Sequence, residues 1–226
     1  MSSRPVTAVI FDLDGTLIDS APDIANAINR HLSEHGWERV GTELVAELIG
    51  HGSRRLITDV LSHIGHPVDT ASVDRVHAAY QANYAERPVV DTRFFPHVAE
   101  DLVALTEAGL WLGVCTNKPH ALTGQVLAAL GIDGLVRAFA GADAVPACKP
   151  APGHLLAVAD QMRLTTGEWV YVGDTDVDRS TARSAGVPFF AVPWGGGGEL
   201  DVPQGMRLSR LADLLDRISG SFAGPG

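Results

Sequence analysis

The sequence predicts an α/β fold, a Rossmann-like parallel sheet core with a small all-helical domain inserted near its start. Three observations carry this prediction. Five short apolar runs have the length and continuity of strands buried on both faces. Helical stretches ending in glycine stops alternate with the later runs, as in a sheet covered on both sides. From about Ala21 to Pro88 the alternation breaks off, and only helical periodicity remains.

The first run, Thr7 to Phe11, opens the sheet. Four apolar stripes follow it. Ile24, Ile28 and Leu32 are closed by Gly36; Leu44, Val45 and Leu48 end at Gly50; Leu56, Val60 and Ile64 are closed by Gly65; Val73, Val76, Tyr80 and Tyr84 form the last. Steps of three and four set each stripe on one helix face, so the segment reads as a small bundle. Its connections, Leu17 to Pro22 and Arg87 to Pro96, are natural hinges. The expected division is therefore 1–20 with 89–226 for the α/β core and 21–88 for the helical insertion. Beyond it, His97 to Ala108 carries Val98, Leu102 and Leu105 at helical spacing before Gly109. Strands are expected at Leu110 to Cys115, Ala138 to Gly141, Trp169 to Val172 and Phe189 to Val192, and helices at Leu122 to Leu130 and Gly153 to Gln161. Ligands of such sheets bind beyond the carboxyl ends of the strands.

The 226 residues suffice for one large domain, or a core with a modest insertion, and 46% hydrophobic against 19% charged is ordinary for a soluble protein. A net charge of −10 argues against nucleic acid or an anionic membrane as partner. Met1 to Pro5 is short and polar ahead of the first strand, and no run of about 18 apolar residues occurs. With Cys115 and Cys148 unsuited to a disulfide framework, a reduced cytoplasmic protein is expected. Nine histidines without metal-ligand spacing propose no zinc site. Nothing decides between a monomer and a homodimer.

The chemistry lies at the ends of the apolar runs. Phe11-Asp12-Leu13-Asp14-Gly15-Thr16-Leu17 delivers two carboxylates one residue apart, which repel unless a cation lies between them. Leu112 to Pro119 ends in Thr116, Asn117 and Lys118; Cys148-Lys149-Pro150 follows; Trp169 to Asp178 delivers a second acidic cluster with Gly173, Asp174, Asp176 and Asp178. In that order these segments resemble the four motifs of the haloacid dehalogenase superfamily of phosphotransferases, from about Val6 to about Pro193. The inserted bundle is similar to that superfamily's helical cap.

The resemblance implies a phosphomonoester hydrolase acting on a small phosphorylated metabolite. Asp12 would attack phosphorus and become an aspartyl-phosphate, and Asp14 would protonate the leaving oxygen and then activate water. Thr16 would orient the second carboxylate or contact substrate, Thr116 would bind a phosphoryl oxygen, and Asn117 lies beside it. Lys149 would neutralise charge on the nucleophile. Lysine is scarce, Lys118 and Lys149 being the only two, so a retained lysine suggests a need for a compact point charge. A Mg²⁺ ion would be held by Asp12, the Asp14 carbonyl and Asp174, with Asp178 holding Lys149 or a metal-bound water. Asp176 reads as a solvated turn aspartate. Asp14 itself argues against the dehalogenases, which lack that acid.

Substrate choice is expected in the cap loop Gly50-His51-Gly52-Ser53-Arg54-Arg55, which is similar to the Gly-x-Gly cap loop of phosphoglycolate phosphatases. Arginines at a helix start oppose its dipole, so Arg54 or Arg55 either grips a substrate carboxylate or belongs to the solvated surface. Gly50 and His51 complete the candidate substrate set. The leading substrate is 2-phosphoglycolate. Alternatives are a sugar-phosphate mutase of the β-phosphoglucomutase kind and a broad-range sugar-phosphate or pyrophosphate phosphatase. The cap has no lysine for the Schiff base of phosphonoacetaldehyde hydrolases. Two features depart from the relatives: His97 where they commonly carry glycine, and the run Trp194-Gly195 to Gly198, read as a flexible loop near the pocket rim.

Overall fold

In the computed structural model, residues 5–196 and 200–218 are described. The strands are β1 (Ala8–Phe11), β2 (Ile18–Asp19), β3 (Arg93–Phe94), β4 (Trp111–Cys115), β5 (Val136–Ala140), β6 (Trp169–Gly173) and β7 (Phe189–Ala191). Five of them form a parallel sheet in the order β5-β4-β1-β6-β7. Each coincides with an expected apolar run to within about two residues at either end.

Side chains alternate across the sheet, and each face has its own helices. Val9 and Phe11 pack with Leu112, Val114 and Val172 against α5 (Val98–Glu107) and α6 (His120–Ala129), through Val98, Leu102, Leu105 and Val126. Ala8 and Ile10 face the other way, joining Tyr171 against Leu155 and Val158 of α7 (Pro152–Gln161) and Ala182 of α8 (Asp176–Ala185). Complete burial of such aliphatic side chains contributes about 1.5–3 kcal/mol each, so both layers are firmly attached.

The inserted helices are α1 (Ala21–Glu34), α2 (Thr42–Leu48), α3 (Ser53–His63) and α4 (Thr70–Glu86), matching the four stripes. They bury a core of their own around Ile28, Leu32, Val45, Ile57, Val60, Val76, Tyr80 and Tyr84, to which Leu122 of α6 is added. The two connections run side by side. Ile18 pairs with Phe94 and Asp19 with Arg93 in an antiparallel ribbon. Next to it Asp23, in the first turn of α1, accepts hydrogen bonds from the main-chain N–H groups of Val90 (2.9 Å), Asp91 (3.0 Å) and Thr92 (2.8 Å) and from the Thr92 hydroxyl (2.7 Å).

One local feature corrects the sequence reading. Asp176 is not a turn residue: it opens α8, is exposed, and pairs with Arg179 at 2.7 Å. The signal for α8 was the Thr175–Asp178 capping box and the Gly186 stop, which the acidic cluster obscured. Pro119 is the cap residue just ahead of α6. His97 caps α5 with φ +67°, a left-handed conformation that glycine adopts without cost.

Candidate active site

The sheet register assembles the site. Phe11 at the end of β1 is level with Val114 of β4 and Val172 of β6. The next residues therefore emerge together from the three central strands: Asp12, then Thr116 two beyond Val114, and Asp174 two beyond Val172. Asp12, Thr116 and Asp174 are all at least 97% buried.

Lys149 lies between two carboxylates, with Nζ 2.8 Å from Asp12 Oδ1 and 2.7 Å from Asp178 Oδ1. Asp12 Oδ1 also accepts from the Leu13 N–H at 2.7 Å. Both oxygens of Asp178 are engaged. Oδ1 takes Lys149 and the Tyr171 hydroxyl (2.8 Å), and Oδ2 takes the Thr175 N–H (3.1 Å) and hydroxyl (2.6 Å). Burial would raise Asp178, but the charge of Lys149 and these hydrogen bonds keep it below the usual carboxylate range. Burial would lower Lys149, yet Asp12 and Asp178 override it and hold the ammonium above the ordinary lysine value.

One ammonium cannot balance three acids. Burial, reinforced by Asp178 and Asp174, pushes Asp12 well above the usual range against the pull of Lys149. Burial and Asp178 likewise push Asp174 up to about 7. Oxygens of Asp12, Asp174 and Asp178 lie within 4.8 Å of one another. A buried all-oxygen cluster short of positive charge fits a hard divalent cation. Asp178, with both oxygens committed, is the least available of the three.

The backbone here is close-fitting. Gly15 has φ +87°, and a Cβ there would overlap the Asp174 carboxylate. The loop after β7 folds over the same place: the Gly196 N–H donates to Asp174 Oδ2 at 2.9 Å and the Trp194 indole to the Thr16 carbonyl at 2.9 Å. Gly195 and Gly196 thus lie at the acidic cluster, while Gly197 and Gly198 fall outside the described residues.

Comparison with known proteins decides the family. Residues 9–192 match the family described as Haloacid dehalogenase-like hydrolase. The chain belongs to this family. A protein of Cereibacter sphaeroides (strain ATCC 17025 / ATH 2.4.3) named Phosphoglycolate phosphatase is 39% identical over 181 residues, covering 80% of this chain and 82% of its own. A plasmid-borne Phosphoglycolate phosphatase of Cupriavidus necator is 34% identical over 216 residues, 96% of this chain and 93% of the relative. A solved structure described as a predicted phosphoglycolate phosphatase from Haemophilus somnus 129pt superposes with a TM-score of 0.83 at 28% identity, covering 95% of this chain and 99% of the other.

In this haloacid dehalogenase-like hydrolase a cavity between the sheet end and the inserted helices is lined by Asp12, Asp14, Thr116, Asn117 and Lys118 on one side and by Gly50, Gly52, Ser53, Leu56 and Tyr80 on the other. Thr116 Oγ1 accepts from the Lys118 N–H at 3.2 Å, which leaves its hydrogen for another partner. Thr16, expected beside Asp14, is fully buried and donates instead to Asp174 Oδ1 at 2.7 Å. Its hydroxyl is thereby removed from substrate contact. Asn117 donates to the carbonyls of Gly50 (2.9 Å) and Lys149 (3.0 Å), tying the loop before α3 to the core, and its buried Oδ1 has no hydrogen-bond partner among the described residues.

The residues that do hold Asp14 went unassigned in the sequence reading. Ser20 Oγ donates to Asp14 Oδ1 at 2.5 Å, and Lys118 Nζ donates to both of its oxygens at 3.0 and 3.2 Å. Burial would lower Lys118, but Asp14, with Tyr84 and Tyr80, holds it above the ordinary lysine value. Lys118 also sits 4.5 Å from the centre of the Tyr84 ring, touching the inserted domain. The scarcity of lysine was the available signal.

Arg54 and Arg55 do not reach the cavity. Both are exposed, Arg54 paired with Asp74 and Arg55 with Asp59 at 2.7 Å. His51 is exposed and also absent from the cavity lining, whereas Gly50 is part of it.

Proposed function

We propose that the chain hydrolyses 2-phosphoglycolate in a Mg²⁺-dependent reaction through an aspartyl-phosphate on Asp12. The chain is a phosphatase; the substrate, metal and residue roles are the proposal. The observation that carries it is the Asp12–Lys149–Asp178 chain, with Asp174 beside it, buried at the carboxyl ends of β1 and β6. Similarity to proteins named phosphoglycolate phosphatase, at 39% and 34% identity, supports the substrate.

Asp12 Oδ1 is already held by Lys149 and the Leu13 N–H, so Oδ2 is the attacking atom. It forms a bond to phosphorus as the ester P–O bond breaks, and Asp14 gives its proton to the leaving oxygen. Asp14 then takes a proton from water, whose oxygen attacks phosphorus. The Asp12–phosphorus bond breaks, releasing inorganic phosphate and restoring both aspartates. Thr116 and Lys149 bind the equatorial oxygens, and Asp178 keeps Lys149 aimed at them. Asp12 and Asp174, with the Asp14 carbonyl, would hold Mg²⁺, which when bound neutralises charge on the phosphoryl group. Residues 21–88 act as the cap, excluding water and limiting the substrate to a small one. Two free cysteines, Cys115 and Cys148, are consistent with a reduced cytoplasmic setting. Among the described residues no helix is long and apolar enough to cross a membrane.

The test is kcat/KM with Mg²⁺ for 2-phosphoglycolate beside sugar phosphates, nucleotides and pyrophosphate. A preference of about 10²-fold or more is expected. A flat profile would refute the substrate, and phosphate transferred between positions of one sugar would indicate a mutase.

A further inference from the structure

The cap side of the cavity carries a polar side chain that the reaction above leaves unused. Ser53 opens α3 and lines the cavity with Gly52, Leu56 and Lys118. Its Oγ lies 2.8 Å from Nε2 of His77 on α4. His77 is in turn stacked on Tyr80, another lining residue, with ring centres 6.4 Å apart. The pair is thus built from two helices of the cap and opens onto the catalytic cavity.

Three features converge on one ligand chemistry. When Nε2 of His77 carries the proton, the ring donates to Ser53 Oγ and frees the hydroxyl hydrogen for an acceptor in the cavity. Lys118, only 5% exposed, brings its ammonium, bonded to Asp14, to the edge of the same space. The first turn of α3 adds main-chain N–H groups, since the first intrahelical bond there is Leu56 N–H to the Gly52 carbonyl. All three favour an anionic oxygen. The arginines that follow in sequence lie at the surface, paired with Asp74 and Asp59, outside the cavity lining.

We propose that Ser53, positioned by His77, recognises a carboxylate on the leaving-group side of the substrate. The assignment rests on the phosphoglycolate reading above and names the residues that select that substrate at the same site. Ser53 touches the substrate; His77 acts through Ser53.

The experiment compares kcat/KM for 2-phosphoglycolate and for ethyl phosphate, which keeps the two-carbon ester and replaces the carboxylate with a methyl group. Wild type, Ser53→Ala, His77→Phe and His77→Gln are measured with Mg²⁺, each checked for an unchanged circular dichroism spectrum and unfolding midpoint. Loss of a hydrogen bond to a charged group lowers the phosphoglycolate-to-ethyl-phosphate ratio by about 10- to 100-fold in Ser53→Ala, expressed in KM rather than kcat. His77→Phe, which keeps an aromatic ring beside Tyr80, lowers the ratio by about threefold or more, and His77→Gln, with a side-chain N–H, recovers part of it. Should Ser53→Ala not fold, the two His77 variants carry the same comparison. Equal losses on both esters would overturn the proposal, because they would mark a purely structural pair. A wild-type preference that survives Ser53→Ala overturns it while leaving the substrate standing. A wild type indifferent to the carboxylate overturns both.

Discussion

Replacing Asp23 with alanine tests whether the cap connection is held by one carboxylate. Asp23 accepts four hydrogen bonds, from the N–H groups of Val90, Asp91 and Thr92 and from the Thr92 hydroxyl. Val90 and Asp91 are both exposed, so their N–H groups can turn to water in the variant. Thr92 is 1% exposed, and its two donors would lose their partner outright. Each such loss costs about 1–3 kcal/mol, and the acidic group near the start of α1 adds a few tenths through the helix dipole. The sum is a loss of about 2–6 kcal/mol, or roughly 4–24 °C in midpoint for a chain of this size. Asp23→Asn keeps one acceptor oxygen and is expected to lose about half as much. The assay is urea unfolding followed by circular dichroism at pH 7. The reasoning also fixes the acid behaviour. Although burial opposes it, the hydrogen bonds hold the Asp23 carboxyl below its usual value. Its stabilisation is therefore present above about pH 4 and lost as pH falls through the depressed pKa. A loss below about 0.5 kcal/mol in Asp23→Ala would refute the latch.

Asp12→Asn is expected to lose at least ~10⁴ in kcat, and Asp14→Asn about 10²–10⁴, both read from Mg²⁺-dependent phosphate release by purified protein; substantial turnover by Asp12→Asn would sink the mechanism. Chelation of divalent ions should abolish turnover and added Mg²⁺ restore it, whereas unaltered rates in excess chelator would remove the metal from the scheme. Asp178→Asn strips a buried partner from Lys149 and the cap from α8, and should cost about 3 kcal/mol in urea unfolding; a change within error would contradict the network. His154 is fully buried between the Lys149 N–H and the Ala140 carbonyl, and burial, with Lys149, lowers its pKa to about 4. The unfolded chain then binds the extra proton first, so stability falls as pH drops from about 6.5 to 4, by about 3 kcal/mol. Titrating urea midpoints over that window should show a shallower fall in His154→Gln than in wild type.

The strand ends were legible because buried parallel strands have few other uses for Asp12, Asp14 and Asp174 where they stand. What could not be read was which partner each side chain finds across the sheet. Thr16 is two residues from Asp14 in sequence, but the turn at Gly15 sends its hydroxyl to Asp174, across the β1–β6 boundary. Lys118 was visible as one of two lysines, yet its meeting with Asp14 depends on how β4 and β1 align. The cap loop was within reach of a stricter reading. Leu56, Ile57 and Val60 are buried, and Ser53 lies three residues before Leu56 and four before Ile57, on the same face of α3. Charge drew the sequence reading to the arginines, which lie at the surface, and away from Ser53, which lines the cavity.

The position of β1 sets how the enzyme would fail. Its four residues are completely enclosed, with a strand on either side and a helical layer on each face. Hydrogen exchange at Val9, Ile10 and Phe11 should therefore require opening of the whole core, while the two-residue ribbon at Ile18–Asp19 and Arg93–Phe94 should exchange far sooner. On mild heating or in low denaturant Asp12, Asp14 and Asp174 are then expected to stay in register after the inserted helices have begun to come and go. Selectivity among phosphate esters would then erode before turnover does.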